Sequence, residues 1–142
     1  MAGAWDQYGG SDILVINAGT CITYDFIDKE GNYLGGGISP GIDLRLKSLH
    51  DFTANLPDVR NNADYVLIGT DTESSIRSGT IGGAVEEIYG MIGRYRIYYP
   101  DLKIVMCGGS SAFFESKIKG TIFVHPELVL RGLRVIAEHN EI

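Results

Sequence analysis

Asn17-Ala18-Gly19-Thr20 carries the densest set of groups able to do chemistry. Gly19 leaves backbone N–H groups unshielded by a Cβ, and the hydroxyls of Thr20 and Thr23 stand close by in sequence. Fixed donors in a concave turn suit phosphate oxygens, which take several short hydrogen bonds at once. On spacing alone, an ordinary hairpin turn is the plain alternative. A second glycine turn, Cys107-Gly108-Gly109-Ser110-Ser111, closes a late apolar segment. Gly35-Gly36-Gly37 weakens a third, where something must approach the backbone. Asp25, Asp28 and Asp43 are the carboxylates available as a base, though each reads first as a turn or surface acid. His50, His125 and His139 are scattered and read as surface or cap residues. Arg45 and Arg77 read as solvated helix positions, with phosphate or a partner acid as the alternative.

The elements that must position these groups follow from periodicity. Ile13 to Ile16 is an aliphatic run, and Ile22, Tyr24 and Phe26 alternate with Thr23 and Asp25, so two antiparallel strands flank the first turn. Lys29 to Asn32 forms the next turn with Gly31 at positive φ, and a third strand spans Tyr33 to Ile38. A helix is expected over 42–51, then a loop through Pro57 and a polar stretch over 58–64. Tyr65 to Gly69 is a short apolar strand candidate. Thr70 and Glu73 fit a capping box opening a helix that runs to about Tyr98 with Ile76, Thr80, Ala84, Ile88 and Tyr95 inward. Its glycines, among them Gly79, Gly83 and Gly90, mark a close neighbour, either a subunit or an internal helix. Leu102 to Met106 reads as a doubly covered strand, with a helix to about Lys119 and a short strand over 121–124 after it. Pro126 opens a final helix with Val129, Leu130, Leu133, Ile136 and Ala137 inward. The fold class is α/β: a three-stranded antiparallel start, then alternating helices and strands in a mixed sheet.

Composition narrows the classes of function. A chain of 142 residues with 44% hydrophobic and 21% charged residues suits one globular domain. The net charge of −6, with no Lys/Arg cluster, argues against nucleic acid or an anionic membrane as partner. No run approaches the length of a membrane span. Cys21 and Cys107 lie in strand-like stretches without metal spacing and read as reduced, buried thiols of a cytoplasmic protein.

Six segments in order, NAGTCITYD (17–25), LGGGISPG (34–41), TANLP (53–57), GTDTESSIRSG (69–79), CGG (107–109) and LVLRGL (128–133), resemble the motif series of type III pantothenate kinases. The resemblance runs from Asp12 onward and implies an actin-like ATPase (ribonuclease H-like) fold. It implies phosphorylation of pantothenate by ATP, the first step toward coenzyme A, in a homodimer using Mg²⁺ and a monovalent cation (K⁺ or NH₄⁺). Carried over by position, Asn17, Gly19 and Thr20 belong to a phosphate motif, and Gly108 and Gly109 to an adenosine motif. Gly36 and Gly37 border the pantothenate side, and Thr53 is similar to a substrate-contacting threonine supplied by the partner subunit.

The departures have consequences of their own. Asn17 stands where the family has aspartate, which removes the charge that would hold hydrated Mg²⁺ and leaves Asn17 a weak metal ligand. The family's first phosphate motif and its Gly-x-Asp-Arg motif, which carries the base, do not occur. Residues 1–11 therefore read as the remnant of a truncated helix and 12–142 as the C-terminal domain, with catalysis expected to lie upstream of Met1 and this chain inactive alone. Trp5 on that helix is then expected to be exposed. Two alternatives stand beside this reading: a non-catalytic nucleotide-binding or dimerising regulator, and a subunit completed by a second chain.

Overall fold

The structure is a computed structural model and describes residues 1–62 and 64–140; Ala63, in the expected 58–64 stretch, lies outside them. Five strands form one mixed sheet in the order β3-β2-β1-β4-β5, from β1 (Ile13–Ala18), β2 (Cys21–Ile27), β3 (Tyr33–Pro40), β4 (Lys103–Cys107) and β5 (Phe123–Val124). The first three pair antiparallel, while β1 with β4 and β4 with β5 pair parallel. The expected α/β class and its three-stranded antiparallel start are thus present.

Alternation decides which residues face which layer. Leu14, Ile16 and Ala18 of β1, Ile22, Tyr24 and Phe26 of β2, and Ile104 and Met106 of β4 share one face. That face is covered by α2 (Ile42–Asp51), α3 (Thr72–Arg77), α4 (Gly83–Tyr98) and α5 (Ser111–Lys117). Ile13, Val15, Ile27, Val105 and Cys107 share the opposite face, under α1 (Ala2–Tyr8) and α6 (Leu128–His139). Burial on both faces explains why β1 and β4 read as unbroken apolar runs. Each fully buried Ile or Leu contributes about 1.5–3 kcal/mol.

Helices α1 and α6 meet backbone to backbone. A Cβ on Gly3 would lie 2.6 Å from the Leu128 carbonyl oxygen and 2.8 Å from the Gly132 nitrogen, so neither helix could approach with a larger residue there. Arg131 Nη2 pairs with Asp6 Oδ2 at 2.7 Å across the same contact. Trp5 is not exposed: it is half-buried and lies over Gly31, which has φ 90°.

Several expectations are corrected. The capping box sits one residue later, with the Asp71 carboxylate accepting from the Ser74 amide at 2.8 Å and Ser74 Oγ accepting from the Asp71 amide at 3.1 Å. Aspartate is at least as good a cap as threonine, so the better-placed acid wins. Residues 65–69 form no strand, and Tyr65 packs over Gly82 instead. The long helix is interrupted by a π segment, Ser78–Gly82, where Thr80 Oγ1 donates to the Ile76 carbonyl at 2.7 Å. Cys21 is exposed, since it begins β2 on the outward side of the turn; Cys107 is buried. The last helix starts at Leu128, and its inward residues are Leu128 and Gly132. Val129, Leu130, Leu133 and Ile136 are 50–64% exposed; Val129, Leu133 and Ile136 border an open hollow over Val15, Asn17 and Cys107 instead of a packed core.

Candidate functional site

Parallel pairing sets Asn17 opposite Cys107, which brings the two glycine turns side by side at the carboxyl ends of β1 and β4. From β1 the chain turns back into antiparallel β2, and from β4 it proceeds through α5 to parallel β5 on the other side. Strand order therefore reverses between β1 and β4, and in open α/β sheets ligands bind outside the carboxyl ends at such a point.

The two turns are tied together. The Ser110 amide donates to the Ala18 carbonyl at 2.9 Å, and Gly108, at φ 93°, lies where a Cβ would be 2.5 Å from both the Ala18 carbonyl oxygen and Asn17 Oδ1. Only glycine fits that approach. Gly109 has open space where its Cβ would be, and Gly19 has nothing nearer than the Cys21 carbonyl at 4.0 Å. Both have room around the α-carbon, but the Gly19 amide already donates to the Cys21 carbonyl at 3.0 Å, a correction to the expected free donor there; Thr20 is exposed beside them.

A third turn closes the arrangement. The Gly41 amide donates to the Thr20 carbonyl at 2.9 Å, and a Cβ on Gly41 would strike the Gly19 carbonyl oxygen. Helix α2 thus starts directly on the Gly19–Thr20 turn. Arg45, one turn into α2, donates from Nε to the Pro40 carbonyl at 2.7 Å and pairs through Nη2 with Glu87 of α4. Glu87 also accepts from Tyr24 Oη at 2.9 Å and from Ser39 Oγ. Burial works against the Glu87 charge, but the hydrogen bonds from Arg45, Ser39 and Tyr24 outweigh it and hold the carboxyl below its ordinary value. Burial, together with the Glu87 hydrogen bond and charge, pushes the Tyr24 phenol well up. Arg45 therefore meets an acid of its own chain rather than water. Glu87 escaped sequence analysis, although an acid at 87 between Ala84 and Met91 on the inward stripe was the available signal.

The remaining candidates are dispersed. Gly36 lies mid-strand opposite Asp25, and what approaches its backbone is the Tyr24 carbonyl oxygen; Gly37 faces the Tyr24 ring. Thr53 follows the far end of α2 and donates to the Leu49 carbonyl at 2.5 Å, so it does not join the turns within one chain. Asp25 accepts from Thr23 Oγ1 at 3.1 Å and Tyr33 Oη at 2.8 Å. Asp28 accepts from the Asn32 and Glu30 amides, and the Asn32 side chain and amide lead in holding its carboxyl down; it is a turn acid. Asp43 lies in the first turn of α2. His125 shares a 2.7 Å hydrogen bond with Tyr8 Oη, and His50 Nδ1 lies 2.8 Å from the Leu56 carbonyl. Arg77 pairs with Glu73 at 3.2 Å. Burial pushes the Cys107 thiol up, which leaves it a poor nucleophile.

Asn17 and Asp25 line one hollow of about 230 Å³ beneath α6, together with Cys107. Among the described residues no group of three or more His, Cys, Asp or Glu could hold a metal. One amide oxygen and one carboxylate that already accepts two hydrogen bonds do not make a Mg²⁺ cage, which wants octahedral oxygen ligands.

Glycine turns meeting at a strand-order reversal define a mixed α/β domain of the kind that takes ligands outside the carboxyl ends of its strands. The comparisons give the family. The type III pantothenate kinase profile matches residues 1–94. The chain is 46% identical over 140 residues to the type III pantothenate kinase of Bacteroides fragilis and 46% identical over 141 residues to that of Christiangramia forsetii. Each alignment covers 99% of this chain and 58% of the relative. The Cytophaga hutchinsonii enzyme of that name is 38% identical over 97% of this chain and 59% of its own. The chain belongs to the type III pantothenate kinase family, matches the C-terminal half of its curated relatives and spans under two thirds of their length. A crystal structure of a conserved putative Baf family transcriptional activator from Campylobacter jejuni shares the fold, with TM-score 0.70 at 24% identity, over 99% of this chain and 62% of that one. Among the described residues, no helix is long and apolar enough to cross a membrane.

Proposed function

We propose that these 142 residues form the nucleotide-binding part of a pantothenate kinase, on an actin-like ATPase fold, in which ATP phosphorylates pantothenate. The observation that carries the reading is the junction of the Gly19–Thr20 and Gly108–Gly109 turns between β1 and β4. Phosphoryl transfer is mostly positioning and charge stabilisation, so a protein contributes by holding phosphates with fixed donors. The Thr20 hydroxyl would hold a phosphate, with Gly19 keeping the approach to it clear of any Cβ, and the open Gly109 backbone would lie against adenosine. Asn17 braces Gly108.

The reading places the base and the first phosphate motif in the share of the family's length that these residues do not span. Mg²⁺ then rides on the nucleotide rather than in a cage built here, and a monovalent cation belongs to the complete site. Gly36, Gly37 and Thr53 keep their expected place on the pantothenate side. Thr53, at the far end of α2, suits a residue offered to a second subunit. Gly79 of the π segment and Gly83, Gly90 and Gly93 of α4 each have open space where a Cβ would be, which supports a homodimer through this stretch. A cytoplasmic setting, without nucleic acid or membrane, follows from the substrates and the acidic balance.

Asn17 favours a second reading, a non-catalytic nucleotide-binding or dimerising relative. Titration calorimetry with Mg·ATP, with and without pantothenate, beside a kinase assay separates them. Binding without turnover is expected of these residues alone, and turnover on joining them to the remaining part of a relative supports the kinase. Binding that never yields turnover supports the second reading, and absence of binding contradicts the first and leaves the second to stand on dimerisation alone. Turnover by the 142 residues alone would move the base to Asp25, Asp28 or Asp43.

A further inference from the structure

We infer that Glu87 is a positioning residue for the Gly19–Thr20 turn, acting at a distance through Arg45 and the Ser39–Gly41 segment. Glu87 lies on α4, on a different element from every residue it holds. Its Oε1 accepts from Tyr24 of β2 and Ser39 of β3, while its Oε2 takes the Arg45 guanidinium of α2. Three donors from three elements thus converge on one carboxylate. A charged acceptor makes each of these bonds stronger than its neutral counterpart.

The path onward is short. Arg45 Nη2 also lies 3.3 Å from Ser39 Oγ, and its Nε donates to the Pro40 carbonyl at 2.7 Å. The next residue, Gly41, donates to the Thr20 carbonyl at 2.9 Å and lies flat against the Gly19 carbonyl. Arg45 is therefore a two-ended clamp: Nη2 is anchored on α4, and Nε holds the carbonyl of the same Pro40–Gly41 peptide whose N–H braces the turn. Its side chain is 19% exposed and that of Glu87 28%, so the pair is partly shielded from solvent. Without the anchor, Arg45 would swing toward water and the 39–41 segment would lose its fixed position against the turn.

The role in ligand binding rests on reading Gly19–Thr20 as a phosphate cradle; the mechanical link does not. Two variants of the 142-residue chain, Glu87→Gln and Arg45→Lys, test it by amide hydrogen exchange and Mg·ATP titration. Glu87→Gln keeps shape but loses charge; Arg45→Lys keeps the charge pair but loses the Nε donor. Both are expected to speed exchange of the Gly41 amide at least about tenfold, and by a larger factor than amides of the β1–β4 ladder. Both should also weaken Mg·ATP by a similar factor. A merely stabilising ion pair would leave Arg45→Lys like the unsubstituted chain, and Glu87→Gln would then speed all amides by the same factor. Unchanged Gly41 exchange in either variant overturns the inference. Faster Gly41 exchange with no Mg·ATP binding by the unsubstituted chain upholds the link and refutes the cradle.

Discussion

The Ser110 amide donates to the Ala18 carbonyl at 2.9 Å, which fastens the turn after β4 to the end of β1. That bond needs Gly108 to pass between them at φ 93°, against Asn17. Gly108→Ala should therefore cost about 1–3 kcal/mol from backbone strain and crowding. Urea unfolding checks it, and Gly109→Ala, with open space around its Cβ, should fall within about 0.5 kcal/mol of the unsubstituted chain.

The two glycines of β3 should separate as sharply. A Cβ on Gly36 would collide with the Tyr24 carbonyl oxygen, whereas one on Gly37 would meet the Tyr24 ring at 3.7 Å, an ordinary contact. Gly36→Ala is expected to destabilise by more than about 2 kcal/mol and Gly37→Ala by less than about 1 kcal/mol. Comparable unfolding midpoints for the two variants would contradict the β2–β3 register.

Acid should act through Glu87. Its folded-state value lies below the ordinary 4.5 because Arg45, Ser39 and Tyr24 favour the carboxylate over the opposing burial. Folding then favours the charged form, so the contribution is fully present above about pH 4.5 and is lost as pH falls through the lower folded value. Glu87→Gln should be less stable than the unsubstituted chain at pH 7, and the gap should narrow toward pH 3 in chemical unfolding followed at both pH values.

On α6, truncation should discriminate the packed residues from those at the open hollow. Leu128 is 4% exposed and Leu133 59%. Leu128→Ala should cost about 2–5 kcal/mol and Leu133→Ala less than about 1 kcal/mol, read from thermal or urea unfolding of the chain.

Much of this architecture was legible because period and turn chemistry agree. The alternation from Ile22 to Asp25 fixed which residues of β2 face each layer, and Gly31 took the positive φ its turn required. Both glycine turns could be singled out by type, but their junction could not, since it depends on β1 pairing with a strand about ninety residues later. The α6 error has a physical source. Apolar residues cover more than one face of that helix; contact between Gly3 and Gly132 packs one of them, while Val129, Leu133 and Ile136 border an open hollow over the sheet. The cap moved from Thr70 to Asp71 because two adjacent residues could serve and only geometry chooses between them. Glu87 was hidden for a similar reason: its three partners come from three elements distant in sequence.

The Thr20 hydroxyl in the Gly19–Thr20 turn is proposed to bind nucleotide phosphate, and Thr20→Val tests this most directly. The side chain is exposed and the substitution nearly keeps its volume, so the fold should be unaffected. Titration calorimetry with Mg·ATP should show saturable binding by the unsubstituted chain and at least about tenfold weaker binding by Thr20→Val, as expected for loss of one hydrogen bond to a charged group. Equal affinity in the two proteins, or no binding by either, would contradict the account.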